Sequence, residues 1–364
     1  MSSNNLAIPI RNLWWLLWYA SELAVEPDYA PHGIESAIDR LPQVLIELFL
    51  PELERKLHRP LAVEHLPQQA VVAQVRGRIQ VLPTLVQQRL LRGQVVCQFS
   101  ALDYDTAFHR VLLAAVQQAG TWAGDRTQQG QCRRLTQQLQ RFGVTTLTPK
   151  QALAHLPRLS GIREPIDRRL LLIAELLLRL GLPHPNDGCS EISQPIQDAT
   201  SLRRLFEKAI AGFYRAVLDP QQWKVKTGQH WHWPVEAQSS GMASILPRMK
   251  TDIVLEHTFP PHRIVIDTKL TAVLKLGWYR ERTLHSPYLY QLYAYLRTQE
   301  GRGDLLAETA TGVLLHPVVA ENVDEWLVLH GHCLRFKTVD LGQSLTEMRA
   351  QLLSICHIAC HFNP

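Results

Sequence analysis

The run Leu13-Trp14-Trp15-Leu16-Leu17-Trp18-Tyr19-Ala20 is apolar on every side, which predicts a helix buried on most of its surface. Pro27, Pro31 and Gly33 break it. Apolar residues then recur at spacings of three and four from about Ile34 to Leu57, the period of a second helix, with interruptions expected near Pro42 and Pro51. Between about residues 61 and 99 the pattern changes to short β-type runs, Ala70-Val71-Val72-Ala73-Gln74-Val75 and Gln94-Val95-Val96-Cys97-Gln98-Phe99, punctuated by Gly77 and Gly93. Helical spacing returns after Tyr104, where Asp105 or Thr106 can cap a segment running to Ala119. A glutamine-rich polar helix (Gln128 to Gln140) and a strongly apolar one (Pro165 to Leu180) follow.

The clearest loop is Gly181-Leu182-Pro183-His184-Pro185-Asn186-Asp187-Gly188, and the domain boundary is expected there. Beyond it the pattern gives a helix (about Thr200 to Leu218), strands at Trp223–Val235, Ile245–Glu256 and Arg263–Lys269, a helix from Pro287 to Thr298, and a strand at Thr311–His316. A further strand near Leu327 and a last helix from about Leu345 complete it. This order predicts an α/β fold (α+β overall), with a mixed sheet between helices in the C-terminal half and a helical, β-rich half before it. The expected division is 1–182, a linker at 183–199, and 200–364, since 364 residues exceed the size at which one core stops growing.

Composition adds limits more than content. With 46% hydrophobic and 20% charged residues the chain is not a largely disordered one. A net charge of +5 permits an anionic partner without demanding it. The Leu13–Ala20 run is shorter than the roughly 20 residues that span a bilayer and has no secretory cleavage site, so a cytoplasmic protein with no membrane partner is expected. The six cysteines form no CxxC pair, and free thiols are expected. Cys356, His357, Cys360 and His361 come nearest to a ligand cluster, against a terminal helix that merely contains them.

Candidate chemistry sits on two strand-like segments. In Met249-Lys250-Thr251-Asp252-Ile253-Val254-Leu255 an acid lies inside an apolar run, where an unanswered carboxylate is unfavourable. In Ile264-Val265-Ile266-Asp267-Thr268-Lys269, Asp267 and Lys269 are two apart and project from one face of a strand. If the strands are neighbours, Asp252 and Asp267 together can hold a hard divalent cation such as Mg²⁺, with Lys269 orienting the attacking water. By spacing alone, an edge-strand ion pair with Asp252 in a turn accounts for the same residues equally well.

A resemblance adds to that reading. Leu246-Pro247-Arg248-Met249-Lys250-Thr251-Asp252, then Asp267-Thr268-Lys269, then Tyr290-Gln291-Leu292-Tyr293-Ala294-Tyr295, resembles the nuclease core of the McrC family, in the PD-(D/E)xK superfamily. Ile8-Pro9-Ile10-Arg11-Asn12 resembles that family's opening, Gly77-Arg78-Ile79 with Thr84 its β-rich middle, and Leu205-Phe206-Glu207 with Phe213-Tyr214-Arg215 the helix that opens its nuclease domain. The resemblance implies Asp252 and Asp267 as metal ligands, Lys269 as catalytic lysine, Gln291 as a residue beside the site, and Glu207 as an extra ligand, weighed against a solvated helix face beside Arg203, Arg204 and Lys208. The motif's nominal proline is Thr251, and Leu270 and Thr271 replace the aromatic and basic residues that follow the lysine elsewhere, which puts local DNA contacts in doubt.

The chain contains no G-x-x-x-x-G-K-[ST] sequence, so a GTP motor must be a separate polypeptide. The resemblance implies an McrB-like AAA+ GTPase hexamer that docks on the N-terminal half, with Arg11 and Asn12 as candidate contacts, and double-stranded, methylated DNA as substrate. Trp223, Trp231 and Trp233, with Lys224 and Lys226, offer base stacking or, more simply, one buried strand face. The function implied is the endonuclease subunit of a GTP-dependent, methylcytosine-directed restriction complex. A stand-alone nuclease in repair or RNA processing and a non-enzymatic GTPase activator are the alternatives.

Overall fold

The computed structural model describes residues 8–26, 37–59, 64–180, 199–276, 281–319 and 321–357. It divides into two compact units, one of Arg40–Leu182 and one that joins Met1–Asp39 to Pro183–Pro364. The break at 182/183 falls in the loop seen in the sequence. The first 39 residues, however, belong with the C-terminal part and not with an N-terminal domain of 1–182. Helix α1 (Ile10–Ala20) gives the reason, since Leu13, Trp15, Leu16, Leu17, Trp18 and Tyr19 are all buried. A helix with no polar face needs partners all round, and these lie in the later part of the chain.

In the Arg40–Leu182 unit, α2 (Leu41–Leu57) runs without the two expected breaks: Pro42 lies in its first turn, where a missing N–H loses nothing, and Pro51 is taken into its interior. Strands β1 (Glu64–Val72), β2 (Arg78–Ile79) and β3 (Val95–Asp103) form an antiparallel sheet in the order β1-β3-β2, with the short α3 (Val81–Val86) between β2 and β3. Then come α4 (Ala107–Trp122), α5 (Arg126–Arg141), α6 (Pro149–Leu159) and α7 (Pro165–Leu180). Of the two candidate caps for α4, Thr106 takes the role by accepting the His109 N–H at 3.2 Å. The pattern did not announce α3 and α6, and the burial explains this: only Thr84 is buried in the first and only Ala152 in the second.

The second unit continues with α8 (Ala199–Val217), β4 (Trp223–Thr227), β5 (His230–Trp231), β6 (Met249–Lys250), β7 (Ile253–His257), β8 (His262–Thr268), β9 (Leu274–Leu276) and β10 (Arg282–Leu284). After these come α9 (Ser286–Arg297), β11 (Thr311–Pro317), β12 (Asp324–Leu329), β13 (His332–Val339) and α10 (Leu345–Leu353). Six strands make one mixed sheet in the order β12-β13-β11-β8-β7-β4, in which β8, β11 and β13 are parallel. The expected α/β sheet between helices is thus present. The long strand expected at 223–235 ends at Gly228, whose φ of +59° turns the chain, and the one at 245–256 divides around Asp252.

Two close approaches set the helices. Trp15 and Tyr19 of α1 meet Phe213 of α8 with ring centroids 5.5 and 5.4 Å apart. Gly212 makes this possible, because a Cβ there would fall 1.7 Å from the Tyr19 carbonyl oxygen. Helix α9 lies on β11, where a Cβ at Gly312 would stand 2.9 Å from the Leu292 side chain. Val265, Leu292, Tyr295, Leu296, Leu314 and Phe336 close the core between this helix and the sheet.

Cys97, Cys132 and Cys356 are free thiols, but Cys333 is disulfide-bonded, which corrects the expectation of free thiols throughout. Cys360 and His361 of the possible ligand cluster lie outside the described residues. Among the described residues no helix is long and apolar enough to cross a membrane.

Candidate active site

Strands β7 and β8 pair antiparallel with Ile253 opposite Ile266, so one further step of the same register sets Asp252 opposite Asp267. Asp252 lies just ahead of β7 and is drawn to the end of β8: its Oδ2 accepts the Thr268 N–H at 2.8 Å and the Thr268 hydroxyl at 2.9 Å. Its carbonyl takes the Gly228 N–H at 3.1 Å, tying the same spot to the end of β4. Asp267 is 1% exposed. Because β8 lies inside the sheet, between β11 and β7, an edge-strand ion pair is not what these residues form.

Lys269 follows β8 directly, with its N–H on the Leu315 carbonyl at 2.9 Å. Its Nζ stands 2.7 Å from Asp267 Oδ2, donates to Gln291 Oε1 at 3.1 Å and lies 5.0 Å over the Tyr288 ring. Gln291 Nε2 in turn donates to the Tyr295 hydroxyl at 2.6 Å, which donates to the Lys250 carbonyl at 2.8 Å. Tyr288, Gln291 and Tyr295 are three and four apart along α9 and therefore share a face. Two of these three, Tyr288 and Tyr295, were not picked out from the sequence as site residues. The spacing was visible there, but aromatic residues at helical spacing ordinarily mean core.

Burial, reinforced by the Asp252 charge and opposed by Lys269, holds the Asp267 carboxyl up at about 6. Glu207 of α8 is also raised, first by burial and then by Asp252. Glu207 and Asp252 line one cavity of about 300 Å³ together with Tyr19, Arg215, Thr227 and Lys250. Even so, among the described residues no three His, Cys, Asp or Glu side chains stand close enough to hold a metal ion, so Glu207 does not complete a three-carboxylate cluster with Asp252 and Asp267. The donors that remain suit one cation well. Asp267 Oδ2 is fully buried and receives no hydrogen bond of good geometry, only the charge of Lys269. Two carboxylates with the balance left to water or phosphate is the donor set that Mg²⁺ accepts.

The model of a family described as McrBC 5-methylcytosine restriction system component matches residues 12–307, a span that includes all five candidate residues. The chain belongs to the McrBC family. It is 24% identical over 355 residues to the type IV methyl-directed restriction enzyme EcoKMcrBC of Escherichia coli K12, covering 96% of this chain and 97% of that protein. It is also similar to a refined half-complex from a tetradecameric assembly of Thermococcus gammatolerans McrB AAA+ hexamers with bound McrC, at 17% identity and a TM-score of 0.40, over 86% of this chain and 68% of the other. A cryo-EM structure of the Thermococcus gammatolerans McrBC complex matches at 16% identity and a TM-score of 0.33, over 47% of each chain.

In this McrBC-family chain several other candidates have structural duties. Asn12 is 2% exposed and donates to the carbonyls of Leu341 at 2.7 Å and Gln343 at 2.9 Å, which makes it an anchor of α1. Arg11 pairs with Asp39 at 3.2 Å. Trp223 lies against His257 with centroids 4.5 Å apart, Trp233 donates to the Pro247 carbonyl at 2.6 Å, and Trp231 meets Tyr295 edge-on. These contacts favour the packed strand face over base stacking. Thr271, one of the departures after the lysine, offers its carbonyl to His316 at 2.7 Å.

Proposed function

We propose that this restriction-system component is its metal-dependent endonuclease, cutting the phosphodiesters of methylated double-stranded DNA in a complex driven by a separate GTPase. The observation that carries the proposal is the pair of aspartates brought face to face at the end of β7 and β8, with the Lys269 ammonium 2.7 Å from the buried one. A buried carboxylate in a sheet interior with a second, half-buried carboxylate beside it is unfavourable for stability alone, and such unfavourable pairs gather where chemistry needs them. Asp252 and Asp267 would hold Mg²⁺, which when bound stabilises negative charge developing on the phosphate. Asp252 is oriented by Thr268, and Asp267 is kept dry by the sheet. Lys269, fixed by Gln291 and the Tyr288 ring, presents an ammonium beside the place where a phosphate oxygen and the attacking water would lie. Glu207, which lines the same cavity as Asp252, is assigned a supporting role toward water or a metal-bound phosphate.

The partner of this reading is an McrB-like AAA+ GTPase hexamer, as in the Thermococcus assembly of McrB hexamers with bound McrC. Since the chain lacks a P-loop sequence, GTP would be bound by that partner, in the cytoplasm where DNA is met. Asp252→Asn, Asp267→Asn and Lys269→Ala test the site. Each is expected to lower cleavage of methylated plasmid, assayed with Mg²⁺, GTP and the partner, by on the order of 10²-fold or more. Stimulation of the partner's GTPase should persist in all three, which separates the site from the docking function. Near-normal cleavage by any of them would refute the site. Loss of both activities together would favour a structural ion pair, and cleavage by the isolated chain without GTP would favour a stand-alone nuclease.

A further inference from the structure

The links from Lys269 to Lys250 form a chain with a fixed polarity. At one end is an ammonium, which only donates, and at the other a backbone carbonyl, which only accepts. Between them stand an amide with one accepting and one donating end and a hydroxyl that does both. With the hydroxyl proton on the Lys250 carbonyl at 2.8 Å, the Tyr295 oxygen is left as an acceptor, and it takes Gln291 Nε2 at 2.6 Å. The amide oxygen then has to face Lys269 Nζ, as it does at 3.1 Å. We propose that Tyr295 is a positioning residue of the nuclease site: its hydroxyl, anchored on the Lys250 carbonyl, fixes which way round the Gln291 amide stands and so keeps an acceptor on the Lys269 ammonium.

Turning the amide over would introduce two faults together. Its NH₂ would point at the ammonium, donor against donor, and the Tyr295 proton would have to leave the Lys250 carbonyl for Oε1. Tyr295 is 5% and Lys269 6% exposed, so water is poorly placed to repair either. The carbonyl belongs to Lys250, two residues before Asp252, so the same chain ties the lysine to the carboxylate segment. The Tyr295 ring is already held by the α9 core, with Val265 and Leu292, and by Trp231 edge-on, which leaves the hydroxyl free for this task.

The inference rests on the nuclease reading of Lys269, and the test separates the two. Tyr295→Phe keeps the ring and removes the hydroxyl, whereas Gln291→Glu places an oxygen at both ends of the side chain, so that either orientation presents an acceptor to Lys269. In the complete complex with GTP and Mg²⁺, Tyr295→Phe is expected to lower kcat for DNA cleavage roughly tenfold or more, with KM for DNA little changed. Its thermal midpoint should move by only about 2–4 °C, as for one lost hydrogen bond. In the Gln291→Glu background the same change should alter kcat by less than about threefold. An equal loss in both backgrounds, or none with Gln291 present, would overturn the proposal. Hydrogen exchange of the Gln291 side-chain amide, followed by NMR on protein without DNA, should speed up at least about fivefold in Tyr295→Phe. Unchanged exchange would defeat the orientation lock even if DNA is cut, and accelerated exchange in a protein that never cuts DNA would retain the lock while the nuclease reading falls.

Discussion

Asp105 shows how much one exposed-looking acid can hold. Both its oxygens take the Arg110 guanidinium at 2.7 Å, and Oδ1 also accepts the Thr145 N–H at 2.8 Å. The Arg110 hydrogen bonds, helped by those from Thr145 and opposed by burial, hold this carboxyl down at about 2. A folded-state value below the ordinary 3.8 stabilises the fold above the unfolded value, and that stability is lost as pH falls from about 4 toward 2. Asp105→Asn should therefore lower stability near neutral pH by roughly 1–2 kcal/mol and flatten the acid limb, which thermal melts across that range will show. Nothing in the sequence announced this role; Asp105 read there as a helix cap, since Thr145 is far along the chain. The candidate site acids stood out in the sequence because each adjoins an apolar run, Asp267 after Ile264-Val265-Ile266 and Asp252 before Ile253-Val254-Leu255, although spacing alone allowed an edge-strand ion pair equally well. The hydroxyl of Tyr295 left no such trace, as its task exists only once α9 lies on the sheet.

Elements with a strong apolar period emerged from the sequence close to their true limits: α7 at Pro165–Leu180, α9 at Ser286–Arg297 and β11 at Thr311–Pro317. Those that carry little core, or whose buried run is interrupted by charged residues, did not. The β9–β10 ribbon pairs only three residues on each side, and β13 has Arg335 and Lys337 within it, which Asp324 answers from the neighbouring strand. Close backbone approach is equally invisible in a pattern of apolar positions, and Gly212 is the clearest case. Gly212→Ala would force the Tyr19 carbonyl and α8 apart by more than an ångström. The expected result is a loss of roughly 2–4 kcal/mol in thermal or denaturant unfolding, with helix content by circular dichroism largely kept below the transition. Nuclease activity should suffer with it, since α8 also carries Glu207 and Arg215 into the cavity beside Asp252.

At the scale of the molecule, the Pro183 boundary was legible and the membership of residues 1–39 was not, because apolar periodicity says that α1 is buried without saying by what. The division predicts how the chain can be cut. A fragment of residues 40–182 should be soluble and unfold in one cooperative transition, whereas residues 1–182 should carry α1 bare and aggregate. Sedimentation and calorimetry on the two fragments will distinguish this from a domain that needs α1. A unit closed by its first and last segments also has a history. During synthesis α1 emerges some 180 residues before α8 begins at Ala199, roughly 10–40 s at about 5–20 residues per second. The middle unit can close in that interval, while three tryptophans wait beside the ribosome for a surface not yet translated. The unit that holds the candidate site is thus completed only after the middle unit has been made.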